Sequence, residues 1–371
     1  MVGALLNAKN SLTATPSLVI DLPTVESNLQ RLAGYARSHS ISIRPHTKTH
    51  KSRFFAGLQK KLGARGLTVA KVGEAIVMSD VDDDILVAYP AVDPYRATQL
   101  AELAHRKTVR IAIDSEYGLD LYETAARKAG SCIGILVDQD VGFHRTGTQT
   151  SHATFQLACQ VTQRSPHLRL DGLFFYPGHV WSTGEQQVAD LRHIDSLLEE
   201  TIDLCRGSGI ALPIVSGGST PTAYHSHLVP VQTEIRPGTY LFNDANTLRA
   251  GFCQPDDCAA GIVCTVVSTS VPGKAVIDAG TKVFTSDRNV TQPESGHGIC
   301  LEYPDLRLTR LSEEHGELDL RECNDFPKLG ERITILPNHI CPCVNLTDSL
   351  WLQHSDQRFE AIPVDTRGKT I

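Results

Sequence analysis

Short apolar runs alternate with longer segments of helical spacing through the first two thirds of the chain. The apolar runs are rich in β-branched residues and end in polar or glycine-rich turns, as in DILVAYP and TVRIAID. Eight such runs occur, at 41–47, 66–70, 84–90, 108–114, 132–138, 168–176, 212–218 and 233–240. Segments between them, such as VADLRHIDSLLEETIDLCR, carry apolar residues three and four positions apart. The pattern predicts a (β/α)8 barrel, for which about 250 residues are typical.

The two ends of the chain do not follow this alternation. SLVIDLPTVESNLQRLAGYA predicts a strand followed by a helix that Pro23 opens. One face of this helix is apolar and carries Leu22, Val25, Leu29, Leu32 and Ala36. After about residue 250 the chain shows strands with turn signals and no regular helices. The sequence therefore predicts an α/β barrel over residues 25–250 and a smaller, mainly β domain formed by residues 1–24 with 251–371.

Composition narrows the class of protein. The 371 residues are 41% hydrophobic, and the formal net charge is −7 at pH 7 with no long basic run. This balance predicts a globular protein and argues against a nucleic-acid partner. No apolar run is long enough to span a membrane and the start of the chain lacks a signal-peptide pattern, so we expect a cytoplasmic location. The ten cysteines are scattered, and we expect mostly reduced thiols.

A dense basic segment, RPHTKTHKS, follows the first predicted barrel strand. Barrel active sites lie at the C-terminal ends of strands, where this segment places Lys48. The neighbouring Arg44, His46, His50 and Lys51, together with partial burial, would disfavour the ammonium form of Lys48 and prepare a nucleophilic amine. Such lysines form Schiff bases with carbonyl compounds, including pyridoxal phosphate. From the local sequence alone, a solvated basic loop is an equal alternative.

Small residues end the last two predicted barrel strands, in VSGGSTPT and RPGTY. Their backbone amides could approach a phosphate closely, and phosphate sites in such barrels often lie in the loops after strands seven and eight. A plain turn is the alternative for Gly-Gly-Ser by itself. A candidate Schiff-base lysine after the first strand and a phosphate loop after the seventh and eighth match the arrangement of a pyridoxal phosphate enzyme.

Motifs along nearly the full chain resemble the D-threonine aldolase and D-serine dehydratase family. They run in the family's order from TPSLVIDL through RPHTKTHK, LTVAKVGEA, FHRTG, YPGH, VSGGSTPT, TEIRPGTYLFND, VIDAGTK and LSEEHG to PNHICPCVN. The resemblance implies the alanine-racemase-like fold of pyridoxal phosphate enzymes of fold type III, a barrel followed by a β domain. It also implies a homodimer in which each subunit completes the partner's active site.

The resemblance assigns roles residue by residue. Lys48 corresponds to the lysine that holds pyridoxal phosphate, Arg145 to an arginine near the phenolic oxygen of the cofactor, and Tyr176 to a tyrosine beside its ring. Arg236 occupies the place of the arginine that faces the pyridine ring in alanine racemases. The positions that match the family's phosphate-binding residues are Ser216, Gly217, Gly218, Ser219, Gly238 and Tyr240. His50 and His179 are candidate bases.

The motif PNHICPCVN is a candidate metal site. Residues two apart in a strand point to the same face, so a strand here would present His339 and Cys341 to one ion, and Pro342 makes a third ligand at Cys343 doubtful. Imidazole and thiolate suit zinc, and two protein ligands leave positions for water and substrate. A structural coincidence is the alternative on spacing alone. The resemblance favours a divalent metal, with zinc expected and manganese or magnesium as alternatives.

The expected activity is that of a lyase on D-β-hydroxy amino acids. The family tends to carry aspartate at the position of Cys341 in D-threonine aldolases, so Cys341 favours dehydration to a 2-oxo acid and ammonia. Retro-aldol cleavage to glycine and an aldehyde is the main alternative. D-serine, D-threonine and D-threo-3-hydroxyaspartate are all candidate substrates. A racemase or a cofactor-binding regulatory protein is a less favoured alternative. The acidic run DVDDD (80–84) is interpreted as a solvated turn.

Overall fold

The computed structural model describes residue 5, residue 12 and residues 14–371, and its chain divides into two compact units. The barrel unit comprises Arg31–Lys48, Arg53–Gly238 and Gly368–Ile371. The β unit comprises Met1–Gln30, Thr49–Ser52 and Thr239–Arg367. The division falls at residue 238/239, whereas the sequence suggests a boundary near residue 250. No helix in the described ranges has both the length and the apolarity needed to cross a membrane.

The first elements are strand β1 (Ser17–Asp21) and helix α1 (Leu22–Ser38). Helix α1 buries the apolar face that the sequence predicts, which consists of Leu22, Val25, Leu29, Leu32 and Ala36. Asp21 ends the strand and accepts hydrogen bonds from the backbone N–H and the hydroxyl of Thr24, which occupies one of the free donors of the first helical turn.

Eight parallel strands form the barrel unit, and each lies inside one of the eight predicted runs. They are β2 (Ser42–Ile43), β3 (Leu67–Val69), β4 (Asp84–Val87), β5 (Thr108–Ile113), β6 (Ile133–Asp138), β7 (Leu168–Phe174), β8 (Ile214–Gly217) and β9 (Glu234–Ile235). Their order is β2-β9-β8-β7-β6-β5-β4-β3, and a parallel bridge between His46 and Thr68 closes the ring. The predicted (β/α)8 barrel is confirmed.

Helices connect most of these strands. They are α2 (Arg53–Lys61), α3 (Val72–Met78), α4 (Pro94–Leu103), α5 (Glu116–Ala129), α6 (Ser151–Thr162) and α7 (Gly184–Gly207). Local sequence sets their ends. The side chain of Asp93 caps α4 ahead of Pro94, and Ser115 caps α5, which ends at Gly130 with φ +67°. A short 3-10 helix, Ala223–Leu228, takes the place of a longer helix between β8 and β9.

Ion pairs fill part of the barrel interior. Arg44, which is fully buried, donates from Nε to Glu234 Oε1 (2.9 Å) and from Nη1 to Asp84 Oδ1 (2.6 Å). Arg110 also contacts Asp84, and its Nε lies 2.6 Å from Asp171 Oδ2. Each of these side chains therefore meets an opposite charge, which offsets the large cost of removing it from water.

Two expectations from the sequence are wrong at this network. Asp84 is not part of a solvated turn, because it begins strand β4 and pairs with two arginines. Arg44 is not part of a basic cluster around Lys48, because its side chain enters the ion-pair network. Glycine at position 66 leaves the space for it, since a Cβ atom there would overlap the Arg44 guanidinium.

The β unit contains a ring of six antiparallel strands. These are β10 (Ala260–Ser268), β11 (Lys274–Ile277), β12 (Gly298–Cys300), β13 (Arg307–Leu311), β14 (Gly316–Asp319) and β15 (Arg332–Pro337). Strand β10 pairs with both β11 and β15, which closes the ring β10-β11-β14-β13-β12-β15. The remaining elements are the helices α8 (Ala245–Arg249) and α9 (Ile340–Asn345) and the strands β16 (Ser349–Gln353) and β17 (Phe359–Pro363).

Strand β1 belongs to this same sheet. It pairs antiparallel with β10 and parallel with β16, and β16 pairs with β17. None of the ten cysteines forms a disulfide, and six of them are buried. The N-terminal strand and the C-terminal strands therefore stabilise one sheet although more than two hundred residues separate them in the chain.

We expect Arg44→Met to lower the free energy of unfolding by about 3–5 kcal/mol, because it leaves the buried Glu234 and the partly buried Asp84 without their shared cation. Urea unfolding at pH 7 measures the change. Arg53→Met is the matched control: the Arg53–Asp80 pair has side chains 45% and 65% exposed, so its loss should cost less than about 1 kcal/mol. Equal effects of the two substitutions would contradict the importance of the interior network.

Candidate active site

Lys48 lies at the C-terminal rim of the barrel unit, two residues beyond the bridge between His46 and Thr68. Its side chain is exposed, and its backbone N–H donates to His46 Nδ1 at 3.4 Å. The predicted partial burial is therefore not found. Lys51 is also not a free neighbouring charge, because it belongs to the β unit, is buried and donates from Nζ to the Thr366 carbonyl (3.4 Å).

The predicted phosphate loop follows strand β8. Gly217 has no room for a side chain, because a Cβ atom would overlap the ring of Phe175, and Gly218 has φ +78°. Both positions therefore require glycine. Ser219 is buried and its N–H donates to Thr222 Oγ1 at 3.0 Å, which fixes the turn.

The other predicted phosphate positions follow strand β9. Gly238 is the last residue of this stretch of the barrel unit, and Tyr240 lies in the 3-10 helix Thr239–Leu241 of the β unit with its side chain buried. Gly238 and Tyr240, which the family resemblance assigns to one phosphate-binding set, therefore belong to different units.

Arg236 is buried in the barrel unit and binds neutral acceptors. Its Nη1 donates to Ser216 Oγ (2.7 Å), its Nη2 donates to the Phe175 carbonyl (2.7 Å), and its guanidinium lies 3.7 Å from the centroid of the Phe174 ring. Burial lowers the pKa of Arg236 to about 9, although the carboxylate of Glu234 opposes this shift. Ser216 in turn donates to Glu234 Oε1 at 2.7 Å, so its hydroxyl belongs to this buried network.

Arg145 is an exposed cation on two aromatic rings. Its guanidinium lies 4.9 Å from the centroid of Phe143 and 4.8 Å from that of Tyr176, and these two rings meet edge to face at 5.2 Å. The loop that carries Arg145 is tied to Asp140, whose Oδ1 accepts the backbone N–H groups of residues 142, 143 and 144 at 3.0 Å. The loop thus holds a guanidinium above the end of strand β6.

Asp138 fixes the far side of the same loop. Its Oδ2 accepts a hydrogen bond from Thr146 Oγ1 at 2.8 Å, and the carboxylate is buried. Burial raises the pKa of Asp138 to about 6, the nearby charge of Asp114 adds to the rise, and Thr146 and Arg236 oppose it. Nothing in the sequence marks Asp138 apart from its place at the end of a predicted strand.

The two candidate bases differ in their surroundings. His179 is exposed after strand β7, and its ring packs against Gly142. Partial burial lowers the pKa of His179, which keeps the imidazole neutral at neutral pH. His50 is fully buried in the β unit and its Nδ1 accepts the Ser52 N–H at 3.1 Å. His179 is therefore the better placed of the two to exchange a proton with a small molecule.

The candidate metal motif lies in the β unit at the junction of strand β15 and helix α9. The expectation of a strand through PNHICPCVN is wrong: His339 is extended (φ −133°, ψ 105°), and Cys341 lies in the first turn of α9. The side chains of His339 and Cys341 nevertheless lie close enough to interact electrostatically. Cys343 is buried in the helix and donates to the His339 carbonyl at 3.3 Å.

Polar groups surround this histidine and cysteine. Asp287 Oδ2 lies 3.0 Å from His339 Nδ1, and Asp244 Oδ2 accepts the Ile340 N–H at 3.2 Å. Burial disfavours the imidazolium of His339, but the neighbouring Cys341, Asp244 and Asp287 outweigh burial and raise the pKa of His339 to about 10. Within the described residues no group of three or more His, Cys, Asp or Glu side chains is arranged to hold an ion.

Cys341 is also linked to the segment that follows Lys48. Its Sγ donates to Thr49 Oγ1 at 3.2 Å and lies 3.6 Å from Thr239 Oγ1, all within the β unit. Thr49 is the next residue after Lys48 in the chain. The contacts of Thr49, Asp244 and Asp287 had no signal in the sequence, since none of them arises from local spacing.

Comparison with known proteins identifies the family. A family model described as "Alanine racemase, N-terminal domain" matches residues 20–246, and one described as "Putative serine dehydratase domain" matches residues 259–352. D-threonine aldolase of Arthrobacter sp. is 31% identical over 342 residues, covering 91% of this chain and 88% of the relative. D-threo-3-hydroxyaspartate dehydratase of Delftia sp. is 30% identical over 346 residues, covering 88% and 90%.

Solved structures agree with these matches. The crystal structure of D-threonine aldolase from Filomicrobium marinum has a TM-score of 0.89 at 31% identity, covering 96% of this chain and 97% of that one. A cysteine-to-alanine variant of a D-threo-3-hydroxyaspartate dehydratase, with a TM-score of 0.86 at 28% identity over 95% of this chain and 97% of that one, is described as metal-free. The chain belongs to the D-threonine aldolase and D-serine dehydratase family of pyridoxal phosphate-dependent lyases.

We expect Asp138→Asn to change the pH dependence of stability. Folding raises the pKa of Asp138 from 3.8 to about 6, so the native carboxyl keeps its proton where the unfolded one loses it, and the native state loses stability as pH rises from about 4 to 6. Relative to the wild type, the variant should therefore gain about 2 kcal/mol between pH 4.5 and pH 7.5.

Urea unfolding at the two pH values measures this gain. Asp203→Asn is the control, because the Asp203 side chain is 68% exposed and its substitution should give no comparable pH-dependent gain. If the free energies of unfolding of Asp138→Asn and the wild type differ by the same amount at both pH values, the carboxyl of Asp138 is ionised throughout this range.

Proposed function

We propose that this protein is a pyridoxal phosphate- and divalent-metal-dependent lyase of D-β-hydroxy amino acids, and that it catalyses dehydration to a 2-oxo acid and ammonia. The observation that carries the proposal is the pairing of His339 with the thiol of Cys341 next to Asp287. Imidazole and thiolate form a zinc-type donor set. Within this set, Cys341 is the residue that the family resemblance associates with the dehydratase branch.

The barrel unit fits a phosphorylated aromatic cofactor. Lys48 offers an exposed amine at the rim, the loop after β8 has two positions that admit glycine alone, and Arg236 has both amino groups on neutral acceptors. Glycine positions let backbone N–H groups approach a phosphate closely. Lys48, the loop Ser216–Ser219, Gly238 and Tyr240 would hold the cofactor, with Arg145, Tyr176 and Arg236 near its ring.

The β unit fits a divalent ion held by two protein ligands. His339 hydrogen-bonds to Asp287 through Nδ1, which leaves Nε2 for a metal, and such carboxylate–histidine pairs orient the ligand and raise its basicity. Cys341 supplies the second donor. In the described ranges no third His, Cys, Asp or Glu side chain is arranged with this pair to bind an ion, which leaves coordination positions for water and substrate.

The roles of the chain's own groups follow from these positions. When bound, the cofactor draws electrons away from the substrate Cα, and the metal polarises the β-hydroxyl. We propose that Lys48 Nζ accepts the Cα proton while hydroxide leaves Cβ. His179, neutral at pH 7, is available to accept a proton from the hydroxyl, and His50 is the less favoured alternative because it is buried and bonded to Ser52.

Retro-aldol cleavage is the second candidate function. Relatives at about 30% identity include both D-threonine aldolase and D-threo-3-hydroxyaspartate dehydratase, so similarity does not choose between the reactions. With the same side chains, removal of the β-hydroxyl proton, cleavage of Cα–Cβ and addition of a proton at Cα would give glycine and an aldehyde. An amino acid racemase is less favoured, because it has no use for a metal at the β-hydroxyl. The homodimer and the cytoplasmic location stay predictions from the sequence.

Product analysis separates the two reactions. The protein is incubated with pyridoxal phosphate, zinc or manganese and D-threonine, and the products are identified by mass spectrometry. We expect 2-oxobutanoate and ammonia. Glycine with acetaldehyde would instead establish retro-aldol cleavage, and Lys48→Ala is the control that should abolish either product.

We expect Asp287→Asn to weaken zinc binding by about 10- to 100-fold, because loss of the carboxylate removes the group that orients His339. Zinc retained against a competing chelator, measured by atomic absorption, reports the change without reference to turnover. Asp305→Asn, at an exposed position of the same unit, is the control. Retention equal to that of the wild type would show that Asp287 does not support a metal ligand.

A further inference from the structure

We propose that Lys71 is a specificity-determining residue that binds a carboxylate of the substrate. The inference rests on the proposed lyase function and adds the group that recognises the acid end of the amino acid. Its basis is an ammonium at the barrel rim whose partner, among the described residues, is an aromatic ring and not a carboxylate. Neither the candidate cofactor residues nor the candidate metal ligands include it.

The strand register places Lys71 close to the height of Lys48 on the rim. Thr68 forms the bridge with His46 on one side and pairs with Leu86 on the other, so these three residues share one row of the barrel wall. Lys48 lies two residues beyond this row, and Lys71 lies three residues beyond it. Tyr89 likewise lies three residues beyond Leu86. Side chains at these positions follow the C-terminal ends of neighbouring strands, where barrel active sites are built.

The Lys71 ammonium rests on an aromatic face. Its Nζ lies 3.6 Å from the centroid of the Tyr89 ring, and the side chain is half-buried. The backbone below is fixed, because Glu74 Oε2 accepts the N–H groups of Ala70 (2.8 Å) and Lys71 (3.3 Å). Tyr89 therefore holds the cation in place without neutralising its charge.

No carboxylate oxygen of the described residues lies within 4.0 Å of Lys71 Nζ. Two other lysines of the barrel unit do have carboxylate partners, since Lys60 pairs with Asp82 and Lys107 pairs with Asp83. A cation–π contact contributes about 0.5–2 kcal/mol, and charge-assisted hydrogen bonds to a carboxylate are among the stronger polar contacts in proteins. A substrate carboxylate can therefore bind the Lys71 ammonium without first displacing an internal ion pair.

The position of Lys71 points to the substrate and not to the cofactor phosphate. The strand order β8-β9-β2-β3-β4 places the proposed phosphate loops, after β8 and β9, on one side of the strand that leads to Lys48. Lys71 and Tyr89 lie on the other side of that strand. An anion bound there is a different group, and the substrate brings a carboxylate on Cα and, in 3-hydroxyaspartate, a second one on Cβ.

Steady-state kinetics of Lys71→Gln, Lys71→Arg and the wild-type holoenzyme test the proposal, with D-threonine and D-threo-3-hydroxyaspartate as substrates. We expect Lys71→Gln to raise KM by about 10- to 100-fold with a smaller change in kcat, since one charge-assisted contact made by bound substrate is lost. Lys71→Arg should restore part of the loss. Lys128→Gln, on the exposed face of α5, is the matched control for removal of one positive charge.

The two substrates distinguish the two carboxylates. A higher KM for both would assign Lys71 to the carboxylate on Cα, and a higher KM for hydroxyaspartate alone would assign it to the second carboxylate. Calorimetric titration of the holoenzyme with succinate supplies a readout that does not require turnover, and Lys71→Gln should bind it more weakly. Unchanged KM for both substrates together with unchanged succinate affinity would overturn the proposal.

Failure of the proposed function has a different signature. It would appear as a wild-type protein that, loaded with cofactor and metal, forms no lyase product from either amino acid. The succinate titration would still decide whether Lys71 binds a carboxylate. Thermal unfolding and the visible absorbance of the bound cofactor, both expected to match the wild type, show that Lys71→Gln remains folded and loaded.

Discussion

The buried carboxylate of Glu234 joins the interior of the barrel to its candidate active site. Its Oε1 accepts from Arg44 Nε at 2.9 Å and from Ser216 Oγ at 2.7 Å, and Ser216 Oγ accepts from Arg236 Nη1 at 2.7 Å. Two fully or almost fully buried arginines are thereby tied to one carboxylate, Arg44 directly and Arg236 through the Ser216 hydroxyl. Because a buried charge without partners is very costly, this series of hydrogen bonds fixes the positions of strands β2, β8 and β9 relative to each other. Lys48 and the proposed phosphate loops follow these same three strands.

At the rim of the barrel, two cationic side chains pack on aromatic rings and have no carboxylate partner among the described residues. Arg145 lies over Phe143 and Tyr176, and Lys71 lies over Tyr89. A ring face attracts a cation without cancelling its charge, so these side chains remain able to bind an anionic ligand. The interior of the barrel shows the opposite arrangement, in which each arginine of the network meets a carboxylate. Among the described residues, the arginines of the interior network are thus paired with carboxylates, whereas Arg145 and Lys71 rest on aromatic rings.

Hydrogen bonds within the β unit orient the histidine and the thiol of the proposed metal site. Asp287 holds His339 through Nδ1, and Thr49 accepts from Cys341 Sγ, so both donors have defined orientations. In this arrangement His339 keeps a proton at neutral pH, because its surroundings raise its pKa to about 10. Metal binding would release that proton, and the affinity of the pair for a metal should therefore fall at acidic pH.

The sequence by itself determined the eight barrel strands, the apolar face of α1, the place of Lys48 after the first barrel strand and the family, because periodicity and motif order are local properties of the chain. Only the tertiary structure decided that Arg44 and Asp84 pair inside the barrel, that PNHICPCVN turns from strand β15 into helix α9, and that Lys71 rests on Tyr89. These contacts join residues from different strands or depend on where a strand stops. Local spacing does not encode them, since the energy of a buried charge depends on the partner that folding brings to it.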